Sequence, residues 1–338
     1  NMLKPLIVEG NSVLQTGFHG VKDFYHNDKH FGAIFYFLNT IKKHLEKYDY
    51  DKVVVFWDGK NNHKSRRELY PNYKTNRKRK LDKDKVDDMF RQKNRISQYL
   101  EEFFIRQSGF KNCEADDCIA YYTQNTEEKT TIISNDKDLL QLINRNTNVC
   151  LLKDDNLITH KDKIKWGKSQ INLPISNVLL IKILLGDRSD NIKGILYFGE
   201  KSVLNHFPEI EEKELTLEKI LHKTKKILEN GSKDRGLKNL NEGICGDGRK
   251  GENFFDINRR LIDLKNVFLT KEAKTEILSL INEPLDPEGR ENINVLEMMK
   301  EDGLFTVLPK HNDEWTNFFK PLIKLRKKEI KYYNKKQN

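Results

Sequence analysis

Four continuous apolar runs limit what this chain can fold into more than any other feature of its sequence. They lie at residues 6–8, 53–57, 131–134 and 149–152. Runs without polar alternation are expected of strands that are buried on both faces of a sheet. Helical periodicity is found in the sequence between them, at about 31–47, 84–104 and 115–124. Strands that alternate with helices predict an α/β domain with a mostly parallel sheet.

The strand signal fades after about residue 170, and helical patterns follow it. They cover residues 175–185, 201–206, 215–230 and 254–264. We therefore expect an α/β domain over 1–170 and a helical region over 171–338. Residues 231–251 hold six of the chain's eighteen glycines, which predicts a loop, and we assign it no function.

Carboxylates gather at the ends of these predicted elements. The nine are Glu9, Asp58, Glu114, Asp116, Asp117, Asp136, Asp138, Asp187 and Asp190. The carboxyl ends of parallel strands share one edge of a sheet, where ligands bind, so we expect the acids to converge. Clustered carboxylates repel one another unless cations neutralise them, and oxygen ligands suit Mg²⁺ or Mn²⁺. Asp116 and Asp117 also open a predicted helix, so either of them could instead be an N-cap.

The positive charge of the chain is concentrated in two segments. The net charge is +10, and residues 60–85 carry eleven Lys and Arg against three Asp and Glu. Residues 320–338 carry eight Lys and Arg against one Glu. Basic segments on an otherwise mildly acidic chain indicate a nucleic-acid partner. The alternative is a solvated surface helix and a disordered, charged tail.

Membrane insertion and disulfide bonding are not indicated by the sequence. No apolar stretch reaches the roughly 20 residues that are needed to span a bilayer, and the first ten residues lack the pattern of a cleaved signal peptide. The four cysteines form no CxxC pair, as expected of reduced thiols in a cytoplasmic protein. We expect no membrane contact and a monomeric chain.

Five short blocks give these residues a resemblance to a known family. They are IVEGNS (7–12), FWDG (56–59), EADD (114–117), SNDKD (134–138) and GDRSDNI (186–192). In this order, over about residues 5–205, they resemble the 5′→3′ exonuclease and flap endonuclease family. RRE at 66–68 and YKTNR at 73–77 are most similar to its T-even phage ribonuclease H branch. The resemblance implies a resolvase-like or PIN-like α/β domain with a helical arch at about 60–100, then a helix–three-turn–helix DNA-binding region.

The resemblance also assigns metal-binding roles to the acids. It implies a first site at Glu9, Asp58, Glu114 and Asp116, and a second at Asp117, Asp136, Asp138, Asp187 and Asp190. Two Mg²⁺ ions, or Mn²⁺, would clamp a phosphodiester, one activating the attacking water and the other stabilising the leaving oxygen. Glu9 stands where the family has aspartate. This difference is either natural variation or an engineered change that slows the chemistry.

The resemblance places three basic residues near the scissile phosphate. Lys74 and Arg77 are three residues apart, and on an arch helix both would face that phosphate and stabilise its developing charge. Arg66 would hold an adjacent phosphate. These three side chains are therefore expected to take part in catalysis.

Other arch residues are expected to bind nucleic acid without reading its sequence. Tyr73 could stack on an unpaired terminal base, or it could pack inside the arch. Arg79 and Lys80 belong to a basic run that would line a channel for a single strand.

Residues 193–202 occupy the position of a family hairpin that grips duplex phosphates, in part through K⁺. Lys193 and Lys201 are the expected phosphate contacts, and Gly194 and Gly199 are expected in the hairpin. Tyr197 stands where the family has glycine, which puts the hairpin geometry and the K⁺ site in doubt.

These features predict a magnesium-dependent 5′→3′ exonuclease and 5′-flap endonuclease acting on DNA and RNA-primed duplexes in replication. The expected substrates are flap, nicked or RNA-primed duplexes, in a bacterial or phage-infected cell. The basic segment 320–338 could contact a single-stranded-DNA-binding protein or a sliding clamp. The alternatives are a non-catalytic, structure-specific DNA-binding relative and a PIN-like ribonuclease. The first would have lost acids that are all present here, and the second lacks the 186–192 block.

Overall fold

The computed structural model describes residues 4–77, 82–308 and 317–338. Its strands are β1 (Pro5–Glu9), β2 (Tyr25–His26), β3 (Lys29–His30), β4 (Lys52–Phe56), β5 (Arg106–Ser108), β6 (Thr130–Ser134), β7 (Thr147–Leu151), β8 (Asn156–Ile158), β9 (Lys163–Trp166), β10 (Ile171–Pro174), β11 (Gly186–Asp187) and β12 (Ile192–Lys193). The α-helices with both ends in these ranges are α1 (Gly10–Gly20), α2 (Gly32–Lys47), α3 (Lys64–Leu69), α4 (Lys83–Glu102), α5 (Ala115–Gln124), α6 (Val178–Leu185), α7 (Glu200–His206), α8 (Leu217–Glu229), α9 (Arg235–Glu242), α10 (Glu252–Ile262), α11 (Lys271–Asn282), α12 (Asn292–Asp302) and α13 (Lys320–Gln337). Within the described residues, no helix has the length and hydropathy needed to cross a membrane.

Six strands form the central sheet in the order β5–β4–β1–β6–β7–β8. The strands from β5 to β7 are parallel, and β8 is antiparallel to β7. The predicted α/β fold with a mostly parallel sheet is therefore confirmed, and each of the four apolar runs forms a strand of this sheet.

The apolar runs are continuous because each strand contributes side chains to two separate cores. Ile7 and Val54 belong to the core on one face of the sheet, whereas Leu6, Val8 and Val53 belong to the core on the other. All five side chains are fully buried. Burying each one stabilises the fold by about 1.5–3 kcal/mol, so a polar residue is disfavoured at every position of these strands.

The glycine-rich segment 231–251 is not the loop that its composition predicts. Its middle forms α9, which begins after Asp234, where the aspartate side chain accepts a hydrogen bond from the Leu237 amide. Leu237 and Leu240 are buried one helical turn apart, and Gly243 ends the helix with φ +64°. An aspartate before a helix and a glycine after it commonly mark the ends of a helix. The prediction of a loop gave more weight to the number of glycines than to these two residues.

The C-terminal helices pack against the α/β sheet. Leu322 and Leu325 of α13 share a core with Phe37 of α2, and Val295 and Met299 of α12 belong to it as well. The basic segment 320–338 is therefore a docked helix with one buried face, and the expectation of a disordered tail is wrong. The domain division at residue 170 stays a prediction.

A buried ion pair also fixes α13 to the sheet. Glu329 of α13 contacts the Arg106 guanidinium on the edge strand β5, and both side chains are at most 2% exposed. Burial raises the pKa of Glu329, while the charge of Arg106 acts in the opposite direction. Arg106 also donates to the backbone oxygen of Glu283.

Glu329→Gln is expected to destabilise the protein by about 3–5 kcal/mol, because it leaves the Arg106 charge buried without a counterion. Urea unfolding followed by circular dichroism would measure this as a lower midpoint. The matched control is Glu46→Gln, at an exposed acid whose partner Lys42 lies one turn away, and it should change the free energy of unfolding by less than about 1 kcal/mol. Equal midpoints for the two variants would contradict the assigned role of the pair.

Candidate active site

The acids at the strand ends line one open cleft of about 600 Å³. Glu9 is the last residue of β1, Asp58 follows β4 and Asp136 follows β6. Because these strands are parallel neighbours, their carboxyl ends bring the three side chains to the same edge. Asp187, from β11, lines the same cleft. The expected convergence of acids from separate blocks is thus found in the structure.

A second group of acids comes from the start of α5. Glu114 is the residue before the helix, and Asp116 and Asp117 lie in its first turn, so neither aspartate is the N-cap. The Asp58 carboxylate accepts a hydrogen bond of 2.9 Å from the Ala115 amide and so satisfies the start of the helix. The acids of the first turn are therefore left for other partners.

Three of the cleft acids strongly oppose one another's ionisation. Burial, together with the charges of Asp136 and Asp58, raises the pKa of Glu9 to about 8. Burial and the nearby Glu9 and Asp136 charges also raise the pKa of Asp116 well above its ordinary value. One oxygen of Asp116 is inaccessible to solvent and has no hydrogen-bond partner within the described chain. Such a group of carboxylates requires a cation beside it when all of its members are ionised.

Arg66 lies in an ion-pair network rather than at the surface. Its guanidinium bonds Asp117 at 2.5 and 2.9 Å and Glu114 at 2.7 Å, and its Nε donates to the backbone oxygen of Leu261 at 3.0 Å. The Arg66 side chain is 5% exposed. In this arrangement it organises the acids of α5, and its expected contact with a phosphate stays a prediction.

Lys74 and Arg77 lie on turns, so the predicted arch helix is wrong at these residues. Lys74 has φ +55°, in the left-handed region, and its ammonium group contacts Glu114 and Asp190. Arg77 bonds Asp190 at 2.6 Å and also lines the cleft. The two cations meet at Asp190 because the turn, rather than a helical spacing, directs them there.

Tyr73 is packed inside the protein, which was the alternative to its stacking on a base. Its side chain is buried, and its hydroxyl donates to Glu114 at 2.9 Å. Stacking on a base would require the ring to leave this position. The neighbouring predicted contacts Arg79 and Lys80 lie outside the described residues.

Lys182 is a site residue that the sequence reasoning missed. It lies on the apolar helix α6, is 7% exposed, and forms ion pairs with Asp138 and Asp187, the latter at 2.6 Å. Carboxylate oxygens of Asp138, Asp187 and Asp190 lie within 4.8 Å of one another. A single lysine within the apolar stretch VLLIKILL was the available signal, because a buried ammonium group needs an acidic partner.

The donor set of the cleft fits divalent cations with a preference for oxygen ligands. Nine carboxylates lie in or beside the cleft, and four Lys and Arg side chains of the described residues form ion pairs with them, so five negative charges would remain if all nine acids were ionised. These cations are Arg66, Lys74, Arg77 and Lys182. All the donors are oxygens, and Mg²⁺ and Mn²⁺ prefer such ligands. The unpartnered Asp116 oxygen lies among them. The residues present therefore fit two divalent ions.

The hairpin after β12 keeps a tight backbone despite its tyrosine. Tyr197 has φ +60°, and the Arg235 guanidinium lies 4.0 Å from the centre of its exposed ring. A side chain on Gly194 would come within 2.2 Å of the Leu185 backbone. Lys193 is exposed at the start of the segment. Tyr197 thus adopts the positive φ that glycine favours.

The remaining hairpin residues lie where α7 begins. Gly199 precedes the helix, and Lys201 lies in its first turn with an exposed side chain. Nothing lies within 4 Å of the position that a Cβ of Gly199 would occupy. This glycine therefore leaves open space at the surface rather than permitting a close internal contact.

Comparison with known sequences places the chain among nucleases. Residues 4–168 match the family model of the 5′-3′ exonuclease N-terminal resolvase-like domain. A 5′-3′ exonuclease of Buchnera aphidicola is 31% identical over 208 residues, which are 60% of this chain and 69% of that protein. DNA polymerase I of Caldicellulosiruptor bescii is 31% identical over 287 residues, 82% of this chain but only 32% of the polymerase. The chain thus spans about a third of that polymerase.

Solved structures show the same fold. A T5 5′-exonuclease with bound divalent zinc ions has a TM-score of 0.59 and 18% identity, covering 89% of this chain and 98% of the other. A T5 flap endonuclease in complex with DNA and metal ions also has a TM-score of 0.59 at 18% identity, with coverage of 96% and 99%. The family model and the exonuclease relative lead to one conclusion. The chain belongs to the 5′-3′ exonuclease family, whose members are phosphodiester hydrolases.

Proposed function

We propose that this chain is a Mg²⁺-dependent nuclease that removes 5′ ends and 5′ flaps from DNA and RNA-primed duplexes in replication, with Mn²⁺ as an alternative metal. One observation carries the proposal. Nine carboxylates lie in or beside an open cleft, with too few cations among the described residues to balance them, and Lys74 and Arg77 are paired with this group. A phosphodiester and two divalent ions would complete the charge balance of that cleft.

The acids divide by their present partners. Glu9, Asp58 and Asp116 have no ion pair to Lys or Arg among the described residues and would hold one metal together with Asp136. Asp138, Asp187 and Asp190 lie together and would hold the second. Glu114 and Asp117 are both paired with Arg66 and would act on the metals through water. When bound, such ions supply an activated water and stabilise the leaving oxygen.

Lys74 and Arg77 would neutralise the phosphate that enters the cleft. Both now bond Asp190, and a substrate phosphate beside that carboxylate would offer them a second anionic partner. Burial raises the pKa of Glu114, but the nearby His63 and the charges of Lys74 and Arg66 act in the opposite direction and hold that pKa well below its ordinary value. Glu114 therefore stays ionised and holds Lys74 beside the cleft, with its charge in place before the substrate binds.

Trp166, rather than Tyr73, is the aromatic side chain that lines the cleft. It ends β9, and the ammonium group of Lys137 lies 5.6 Å from its ring. We expect Trp166→Leu to raise the half-saturating concentration of a 5′-flap substrate about tenfold, since stacking on one base contributes about 1–3 kcal/mol. The maximal rate should change much less. Trp57 is buried, so a Trp57→Leu variant would not be a suitable control. Tyr25→Leu, at an exposed ring outside the residues that line the cleft, should leave the half-saturating concentration unchanged.

One assay tests the function as a whole. Labelled 5′-flap, nicked and RNA-primed duplexes would be incubated with the protein in Mg²⁺, in Mn²⁺ or with a chelator, and product lengths compared. We expect cleavage from the 5′ end or at the flap base, and none with chelator. Binding without cleavage would support the non-catalytic alternative, and cleavage of single-stranded RNA alone would support the PIN-like ribonuclease.

We also propose duplex binding by the helical region, with Lys193 and Lys201 contacting phosphates and K⁺ at the hairpin. The positive φ of Tyr197 supports a retained hairpin turn. Titrating duplex affinity with K⁺ against Na⁺ would test the ion, and equal affinities would refute it.

For a protein partner, we propose that the exposed lysines of α13 contact a sliding clamp or a single-stranded-DNA-binding protein. Because α13 is docked through Leu322 and Leu325, deleting it would expose a core. Reversing the charge of the exposed Lys327 and Lys331 is therefore the cleaner test. Unchanged pull-down of both candidate partners by this variant would refute the contact.

A further inference from the structure

Three possible metal ligands meet away from the cleft. His44 near the end of α2, Cys150 in β7 and Asp155 in the turn between β7 and β8 place one ligand atom each within 4.8 Å of one another. They come from two separate parts of the chain, and none belongs to the acids of the cleft. The three residue types together offer imidazole, thiol and carboxylate donors.

One ring nitrogen of His44 is hydrogen-bonded, and the other is available to bind a metal ion. Its side chain is 6% exposed, and its Nδ1 lies 2.9 Å from the backbone oxygen of Thr40, to which Nδ1–H can donate. This tautomer leaves a lone pair on Nε2, which is buried and has no hydrogen-bond partner within the described ranges. An imidazole fixed to a backbone carbonyl through its other nitrogen is the usual arrangement of a zinc-binding histidine. Burial lowers the pKa of His44, which keeps the ring neutral.

Cys150 and Asp155 supply the other two donors. Cys150 is 2% exposed and forms no disulfide. Asp155 lies in an exposed turn, where its φ is +46°. The ammonium group of Lys47 lies 3.6 Å from its carboxylate and donates to its backbone oxygen, so Zn²⁺ would take the place of Lys47 at the carboxylate.

We propose that His44, Cys150 and Asp155 form a zinc site with a water molecule as the fourth ligand. Thiolate, imidazole and carboxylate together suit Zn²⁺, whereas Mg²⁺ avoids sulfur and nitrogen ligands. Tetrahedral Zn²⁺ places its ligand atoms about 3.6 Å apart, so atoms that now lie within 4.8 Å of one another would have to move closer by about 1 Å at most. On binding, the Cys150 S–H bond breaks, its proton goes to the buffer and a Zn–S bond forms.

The ion would fasten α2 to the β7–β8 edge of the sheet. Because the native protein would bind it and the unfolded chain would not hold the three ligands together, Zn²⁺ should raise the melting temperature. This effect is separate from the nuclease chemistry, and the proposal does not depend on the proposed function.

Co²⁺ gives the decisive readout, because a thiolate ligand produces a charge-transfer absorption band that carboxylates do not. The full chain would be titrated with Co²⁺ in the presence of excess Mg²⁺, which occupies the cleft acids. We expect a thiolate band that saturates at about one equivalent and disappears when Zn²⁺ is added. Cys150→Ser should abolish the band.

Asp155→Asn provides a test that does not disturb the core, since Asn tolerates the same positive φ. It should weaken Co²⁺ binding by more than about tenfold and remove the rise in melting temperature with Zn²⁺. The matched control is Asp154→Asn, at the neighbouring exposed acid, which should bind like the native protein. No thiolate band in the native protein, a band that persists in Cys150→Ser, or equal binding by the two Asp variants would each overturn the proposal.

Discussion

Asp138→Asn and Asp187→Asn are each expected to lower the rate of 5′-flap cleavage in Mg²⁺ by about 10²- to 10³-fold or more, with the fold intact. Each removes one anionic oxygen ligand from the same group of acids. The fold should survive because both acids pair with Lys182. Each single variant leaves that buried ammonium group with one carboxylate partner, so no isolated buried charge is created.

Single-turnover cleavage of a labelled flap duplex would measure the rate, and the melting temperature would report on the fold. Glu212→Gln, at an exposed acid that does not line the cleft, is the control and should cleave at the native rate. Full activity of both aspartate variants would refute the assignment of the second metal site. A double variant, in which Lys182 loses both partners, should by contrast melt at a clearly lower temperature.

Lys74→Ala is expected to slow maximal turnover by about 10²- to 10³-fold while changing the half-saturating substrate concentration only a few-fold. The Lys74 ammonium group is 8% exposed and held between Glu114 and Asp190, so its charge is oriented before substrate arrives. Removing it leaves Arg66 beside Glu114 and Arg77 beside Asp190. Both acids therefore keep a cationic partner, and the substitution should lower the rate of the chemical step.

The substrate dependence of the single-turnover rate separates these two quantities in one experiment. Lys64→Ala is the control, because Lys64 is exposed on α3 and pairs only weakly with Glu68 at 3.9 Å. Its kinetics should match those of the native protein. If Lys74→Ala raised the half-saturating concentration alone, Lys74 would position substrate rather than stabilise developing charge.

The sheet could be predicted because its signal is local. Helices cover both faces of β1, so Leu6, Ile7 and Val8 are all buried, and for this reason all three are apolar. Helices α2, α4 and α5 were predicted to within about two residues at each end. The docking of α13 could not be predicted, because its partner Arg106 lies more than 200 residues away in the chain.

The acids of the site were predictable, whereas their partners were not. Their positions after strands imply a shared edge once the sheet is parallel, so Glu9, Asp58 and Asp136 could be grouped without coordinates. The contacts of Arg66 and Lys182 depend on how α3 and α6 approach that edge. No spacing in the sequence encodes this approach, and for the same reason the ion pairs of Arg66 with the acids of α5 were not expected.

The sequence by itself determined the alternation of strands and helices around the sheet, the family and the set of carboxylates. Each of these depends on residue type and on neighbours within a few positions. Tertiary structure alone decided which cation neutralises which acid and that Tyr73 is buried. It also decided that His44, Cys150 and Asp155 lie close together at the β7–β8 edge of the sheet. These facts depend on contacts between distant segments, whose geometry is set by the packing of the whole core.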